Sequence, residues 1–156
     1  MEFIEILTED LVKINLESSN RKESIEELLD LLVAEHEVRI VHQHSALEAI
    51  LKRERAYSTG IGKGIAVPHA RLPFLDECVT ALGVSREGIE FDALDGKKAH
   101  IIILLLTPSS SHNEHLKTLA NIAHLMNCKE LVDGIINAES AEEIVSMIEI
   151  ESENQL

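Results

Sequence analysis

Apolar residues along this chain follow two different periods. After Asn20, Ile25, Leu28, Leu29, Leu32 and Val33 recur every third or fourth position, which predicts an amphipathic helix. Leu47, Ile50 and Leu51 predict a second. Leu116, Leu119, Ala120, Ile122, Ala123 and Met126 predict a third, and shorter helices are expected near residues 129–136 and 141–148. Four helix starts carry capping-box spacing: Asn20 with Glu23, Ser45 with Glu48, Ser111 with Glu114, and Ser140 with Glu143. At such a start a short polar side chain takes the third helical amide while the acid reaches back to the cap.

Between these segments the pattern becomes short apolar runs. Strands are expected at 12–16, 65–67, 78–85 and 101–106. The run Ile101–Leu106 is apolar throughout, as befits a central strand covered on both faces. Phe91–Gly96 is the turn before it, and Pro68, Pro73 and Pro108 fall where regular structure is expected to stop. Interleaved helices and strands predict an α/β fold, a mixed β-sheet flanked by helices. At roughly 100–200 residues per domain, the chain is a single domain. It is expected to span residues 1–150, with 151–156 as a frayed acidic tail.

Composition narrows the function classes. The 156 residues carry 14 Lys plus Arg against 28 Asp plus Glu, a formal net charge of −14, with no Trp and one Tyr. Such a chain repels phosphate backbones and lacks aromatic stacking platforms, so no nucleic-acid partner is expected. The start is acidic, unlike a signal peptide, and no apolar run approaches the roughly 18–20 residues that cross a bilayer. A cytoplasmic protein without direct membrane insertion is expected. Cys78 and Cys128, far apart and outside any CxxC, are expected as reduced, buried thiols.

The charge is unevenly placed. Lys52, Arg53, Arg55, Lys63 and Arg71 stand in a segment with a single acid, Glu54. A local basic segment in an acidic chain suits an anionic ligand held at one place; ordinary solvated helix-end charges are the alternative. The same segment contains Gly60, Gly62 and Gly64, which lack the GxGxxG spacing because position 65 is Ile. A hairpin-like turn with backbone amides facing an anion is the expected arrangement.

Two histidines stand out. His69 follows Pro68 at a strand end, where proline restricts the preceding Val67 and fixes the approach of the chain. Its imidazole suits a general base, a metal ligand or a nucleophile, or a structural turn. His115, with His112, opens the helix after the buried strand, where the helix dipole favours anions and a neutral ring. Ligands of α/β sheets gather at the carboxyl ends of strands, so the two histidines can converge there. The His112-x-x-His115 spacing also permits metal ligation, although HExxH is absent. His36, His42, His44, His100 and His124 have no evident partner and are read as structural.

Ser58-Thr59-Gly60-Ile61-Gly62, Gly64-Ile65-Ala66-Val67-Pro68-His69-Ala70-Arg71, Leu94-Asp95-Gly96 and Asn113-Glu114-His115-Leu116 occur in a familiar order. With the opening Ile6-Leu7-Thr8-Glu9-Asp10, the chain resembles the enzyme IIA domain of the bacterial phosphoenolpyruvate-dependent sugar phosphotransferase system, fructose/mannitol class. Within that class it looks most like the fructose and nitrogen-regulatory branch, and the resemblance covers about residues 1–148.

The resemblance implies that His69 is the phosphorylated residue, as a tele-phosphohistidine intermediate, and that His115 assists it. It implies that Arg53 stabilises the phosphoryl group and that Arg71 follows the histidine as in the fructose branch, with Thr59 and Gly60 as further phosphate contacts. Lys63 stands where the fructose branch often has a small polar residue. The implied donor is the histidine phosphocarrier protein, and the implied acceptor is a cysteine on an enzyme IIB or a regulated protein. No cofactor or metal is implied, since a phosphohistidine donor needs neither nucleotide nor Mg²⁺. Two other readings remain open on the residues: a regulatory module gated by His69, and a metal-dependent hydrolase using His69, His112 and His115.

Overall fold

A computed structural model describes residues 1–155. Six helices and six strands follow one another: α1 Phe3–Ile6, β1 Val12–Lys13, α2 Arg21–Ala34, α3 Gln43–Ala56, β2 Gly60–Gly62, β3 Ile65–Ala66, β4 His69–Leu72, β5 Val79–Ile89, β6 Ala99–Pro108, α4 His112–Leu125, α5 Lys129–Ile136 and α6 Ala141–Asn154. They build the mixed, helix-flanked sheet that the sequence predicts.

The central strand is β6. Ile101 to Leu106 are fully buried, which explains the unbroken apolar run. On one side β6 pairs antiparallel with β5, which pairs parallel with β1. On the other side β3 and β4 both run parallel to β6. Their registers are continuous: Ile65 lies beside Ile101 and His69 beside Leu105, so both keep one offset across the break at Pro68. Pro68 has no N–H to give, but its carbonyl accepts from Leu105 N–H at 3.0 Å and the ladder runs on. The expected stop at Pro68 is therefore an interruption, and the strand resumes as β4. A hairpin joins β2 to β3, as the glycines predict. Its turn holds Gly62 and Gly64 at φ +84° and Lys63 at +60°.

Local signals fared unequally. Asn20 and Ser140 do cap α2 and α6, accepting from the amides of Glu23 and Glu143. Ser45 does not cap: a 3₁₀ turn at Ile40–His42 starts α3 earlier, at Gln43, and Glu48 pairs with His44 instead. Ser111 stands at the cap position of α4 without a side-chain bond, and Glu114, the expected reciprocal partner, pairs with the terminal amine of Met1. The inward face of α4 is His115, Thr118, Ile122 and Leu125, and the expected core residue Leu116 is exposed. Cys78 and Cys128 are free but half-buried rather than buried. Residues 151–154, expected as a frayed tail, continue α6. Among the described residues no helix is long and apolar enough to cross a membrane.

Candidate functional site

Strand alternation sets the site. Along β4, Ala70 and Leu72 point into the core, so His69 and Arg71 share the other face. Thr107 is the register partner of Arg71 on the adjacent parallel strand and lies on that same face. The turn after β6 then brings the first residues of α4 back over the strand end. His115 comes to rest with its ring centroid 5.3 Å from that of His69, the planes tilted by 54°.

Each ring is held by one nitrogen. Nδ1–H of His69 donates to the Val67 carbonyl at 2.6 Å. That bond leaves Nε2 with its lone pair free. Burial pushes the His69 pKa below its ordinary value and the Arg53 guanidinium adds to this, while the Val67 carbonyl and Glu54 oppose it. Nδ1 of His115 lies 2.6 Å from Oγ1 of Thr107, in a buried pair. Burial lowers the His115 pKa to about 4, reinforced by His69, Arg71, His112 and Arg53. The neutral ring expected from the helix dipole is thus secured chiefly by desolvation. Both rings are neutral near pH 7.

Cations border the pair. Arg53, in the last turn of α3, bonds the Tyr57 carbonyl at 3.3 Å and lies 5.5 Å from the centre of the Tyr57 ring. Arg71 donates to Nδ1 of His112 at 3.1 Å. His112 and His115 are therefore each engaged through Nδ1, by Arg71 and Thr107. Among the described residues no three His, Cys, Asp or Glu side chains are grouped to hold a metal ion.

Thr59 and Gly60, expected as phosphate contacts, bond within the protein. Thr59 gives both its N–H (3.2 Å) and its hydroxyl (2.6 Å) to the Glu54 carboxylate. Gly60 N–H bonds Oγ of Ser58 at 3.1 Å. Lys63 N–H goes to Asp95 at 2.8 Å. These donors are satisfied within the protein, and the Lys63 amide of the glycine turn faces the protein's own carboxylate, that of Asp95. A β-carbon on Gly60 would come within 3.1 Å of the β-carbons of Phe91 and Ala93; close packing is what requires glycine there.

Sequence reasoning missed Glu54 and Thr107. Glu54 is only 4% exposed, holds the Thr59 segment, and lies 3.6 Å from Arg21, which also pairs with Asp92 at 2.6 Å. Its signal was its position next to Arg53, where i, i+1 neighbours on a helix point to different faces. Thr107, at the end of an apolar run, was the one polar side chain there.

The sequence and fold have known counterparts. The chain matches the family described as phosphoenolpyruvate-dependent sugar phosphotransferase system, EIIA 2, over residues 5–150. The fructose-specific EIIABC component of the phosphotransferase system from Bacillus subtilis is 32% identical over 148 residues; this chain spans 23% of that protein's length, with 95% of its own matched. The fructose-specific EIIA component from Haloferax volcanii is 30% identical over 139 residues, 89% of each chain. The crystal structure of nitrogen regulatory protein IIA-Ntr from Neisseria meningitidis is 31% identical, with a TM-score of 0.84 over 93% of this chain and 97% of that one. On a family match across nearly its whole length, this chain belongs to the EIIA 2 family of the phosphoenolpyruvate-dependent sugar phosphotransferase system.

Proposed function

We propose that this protein is a cytoplasmic phosphocarrier that takes a phosphoryl group on Nε2 of His69. The observation that carries the reading is the Val67 carbonyl on Nδ1–H of His69, which leaves Nε2 as the only nucleophilic atom of a neutral ring. The donor is the phosphorylated histidine phosphocarrier protein. The Nε2 lone pair forms the new N–P bond as the donor's N–P bond breaks, and that electron pair returns to the donor's ring. In the onward step a cysteine thiolate of an enzyme IIB takes the phosphorus, and the pair returns to Nε2.

The remaining side chains supply charge and direction, which is most of what phosphoryl transfer asks of a protein. Arg53 neutralises phosphoryl oxygens, with Arg71 as a second cation near the pair. Thr107 donates its hydroxyl to Nδ1 of His115, so that Nε2–H of His115 is the donor to a phosphoryl oxygen. The two rings thus hold opposite tautomers, one accepting the phosphorus and one donating a hydrogen bond. No cofactor enters the reaction.

Incubation with phosphoenolpyruvate, enzyme I and the histidine phosphocarrier protein tests this by intact mass. One acid-labile, base-stable phosphoryl group is expected, and none on His69→Ala. Full labelling of that variant overturns the assignment. The 31% identity to a nitrogen regulatory protein favours one second reading: the same transfer, with the phosphorylation state of His69 gating a regulated partner protein. Transfer from the phosphorylated protein to a cognate IIB supports transport; partner binding that changes with phosphorylation supports regulation.

A further inference from the structure

At the opposite end of β6 from His69, a cavity of about 670 Å³ opens between the β2–β3 turn, the β5–β6 connection and the α4–α5 junction. His100 in its wall and Leu105 beside His69 are five residues apart on β6, roughly 17 Å at about 3.3 Å per residue. The cavity is therefore separate from the histidine pair, and nothing said of it rests on the phosphocarrier reading.

Its charge is opposite to that of the chain. Lys63, Lys97, Lys98 and Lys129 line it, four of the eight lysines in a sequence of net charge −14. Among the described residues none of the four forms a salt bridge. Of the nearby acids, only Asp133 lies in the wall; Asp95, which accepts the amides of Lys63 and Lys97, and Glu130, which accepts from the Cys128 thiol, stand outside the lining. The inner surface is apolar, made by Met126, Val132 and Ile136.

Lys63 adds an independent observation. It occupies the left-handed region at φ +60°, where glycine, asparagine or aspartate sit at less cost. The amide that position 63 gives to Asp95 would be supplied equally by glycine, so the turn itself does not call for a lysine. Its ammonium, however, reaches across to Oδ1 of Asn127 and stands at the cavity. Strain kept at a side chain that faces a cavity points to a use for that side chain.

We propose that this cavity binds a nucleotide-sized organic polyphosphate, its phosphates among the four lysines and its apolar ring against Met126, Val132 and Ile136. The volume lies within the range of about 300–1,000 Å³ typical of small-molecule sites. Lysine without arginine suits point-charge recognition of phosphate better than the planar, bidentate recognition of a carboxylate. The apolar wall calls for a ring or chain beyond the phosphates, which a simple inorganic anion lacks.

The test is a titration of the full protein with ATP and, separately, with inorganic triphosphate, followed by amide resonances. ATP is expected to shift Gly64, Lys98 and Asn127 saturably and to leave His69 and His115 unmoved. Inorganic triphosphate is expected to bind about tenfold more weakly, for want of the apolar contact. Lys97→Gln with Lys98→Gln is expected to weaken ATP about tenfold or more. Lys63→Gly relieves the turn, so it is expected to melt no lower than the wild type while binding ATP more weakly. The proposal is overturned by the absence of saturable shifts at about 5 mM ATP, a concentration far above a useful affinity. It is equally overturned by equal binding of triphosphate, by shifts centred on His69, or by undiminished binding to folded Lys63→Gly.

Discussion

Thr107 and His115 meet in a buried contact of 2.6 Å between Oγ1 and Nδ1, eight residues apart in sequence and across the turn from β6 to α4. The contact fixes where the imidazole points and which of its nitrogens remains available. It also ties the first turn of α4 to the central strand of the sheet.

Thr107→Val keeps the shape of the side chain and removes the hydroxyl. Phosphoryl transfer to His69 is expected to slow about tenfold, equivalent to about 1.4 kcal/mol. Stability is expected to fall by about 1–3 kcal/mol, since Nδ1 of His115 is left buried without a partner. Thr107→Ser restores the hydroxyl and is expected to recover most of the transfer rate. Quenched transfer from the phosphorylated donor reads this, and a wild-type rate for Thr107→Val would make Thr107 a packing residue only.

Acid is expected to destabilise the fold through the two rings. In the folded state His115 titrates at about 4 and His69 is also lowered, from an ordinary value of 6.5. As pH falls below 6.5 the unfolded chain therefore takes up protons first. The contribution of the neutral rings is present in full above 6.5 and drains away between 6.5 and about 4. Glu27, lowered to about 2 from 4.5 by Lys13 and by the Glu17 and Ser18 bonds despite its burial, acts in a lower window. Urea midpoints taken across both windows separate the two, and His115→Gln is expected to flatten the upper one.

Arg53→Ala is expected to slow transfer by about 1.5–3 kcal/mol, the usual range for a hydrogen bond to a charged group. Its bond to the Tyr57 carbonyl is long and its chain is half-exposed, so the melting temperature is expected to reflect a change of only about ±0.5 kcal/mol. A large fall in melting temperature with normal transfer would reverse that reading.

Glu54→Gln removes a charge that holds Thr59 and faces Arg21. It also removes one of the two influences that raise the His69 pKa. The ring of His69 is expected to titrate lower still in this variant. Stability is expected to fall by about 1.5–3 kcal/mol, the worth of hydrogen bonds to a charged group. Imidazole resonances followed against pH check the first point and denaturant melts the second.

The parts of this fold legible in the sequence are those that local chemistry dictates. Asn20 and Ser140 cap because nothing else competes for the amides they serve, and Ile101–Leu106 reads as a central strand because every face of it is covered. Ser45 fails because the preceding 3₁₀ turn already starts the helix. Strand β4 was hidden by Pro68, since a missing donor looks the same in sequence whether a strand ends or is merely interrupted. At the site, His69 and His115 were visible as histidines at a strand end and a helix start. Their partners Val67 and Thr107 were not, because a carbonyl and a hydroxyl become ligands of a ring only through register. The polar, glycine-containing segment around Thr59 reads as an anion loop in sequence, and the Glu54 carboxylate that takes both Thr59 donors could not be read there, because it arrives from the last turn of α3.

The single register that runs through Pro68 has a mechanical consequence. His69 and Thr107, and through Thr107 also His115, are anchored to neighbouring positions of one parallel ladder. The backbone positions that carry the two rings can shift only if that ladder shears, and shear would drag the fully buried Ile101–Leu106 against its covering helices. On the proposed phosphocarrier reading, donor and acceptor proteins would meet a stiff backbone template. The adjustments needed to bring two reacting atoms into line fall on the visiting protein and on the angle at which it docks.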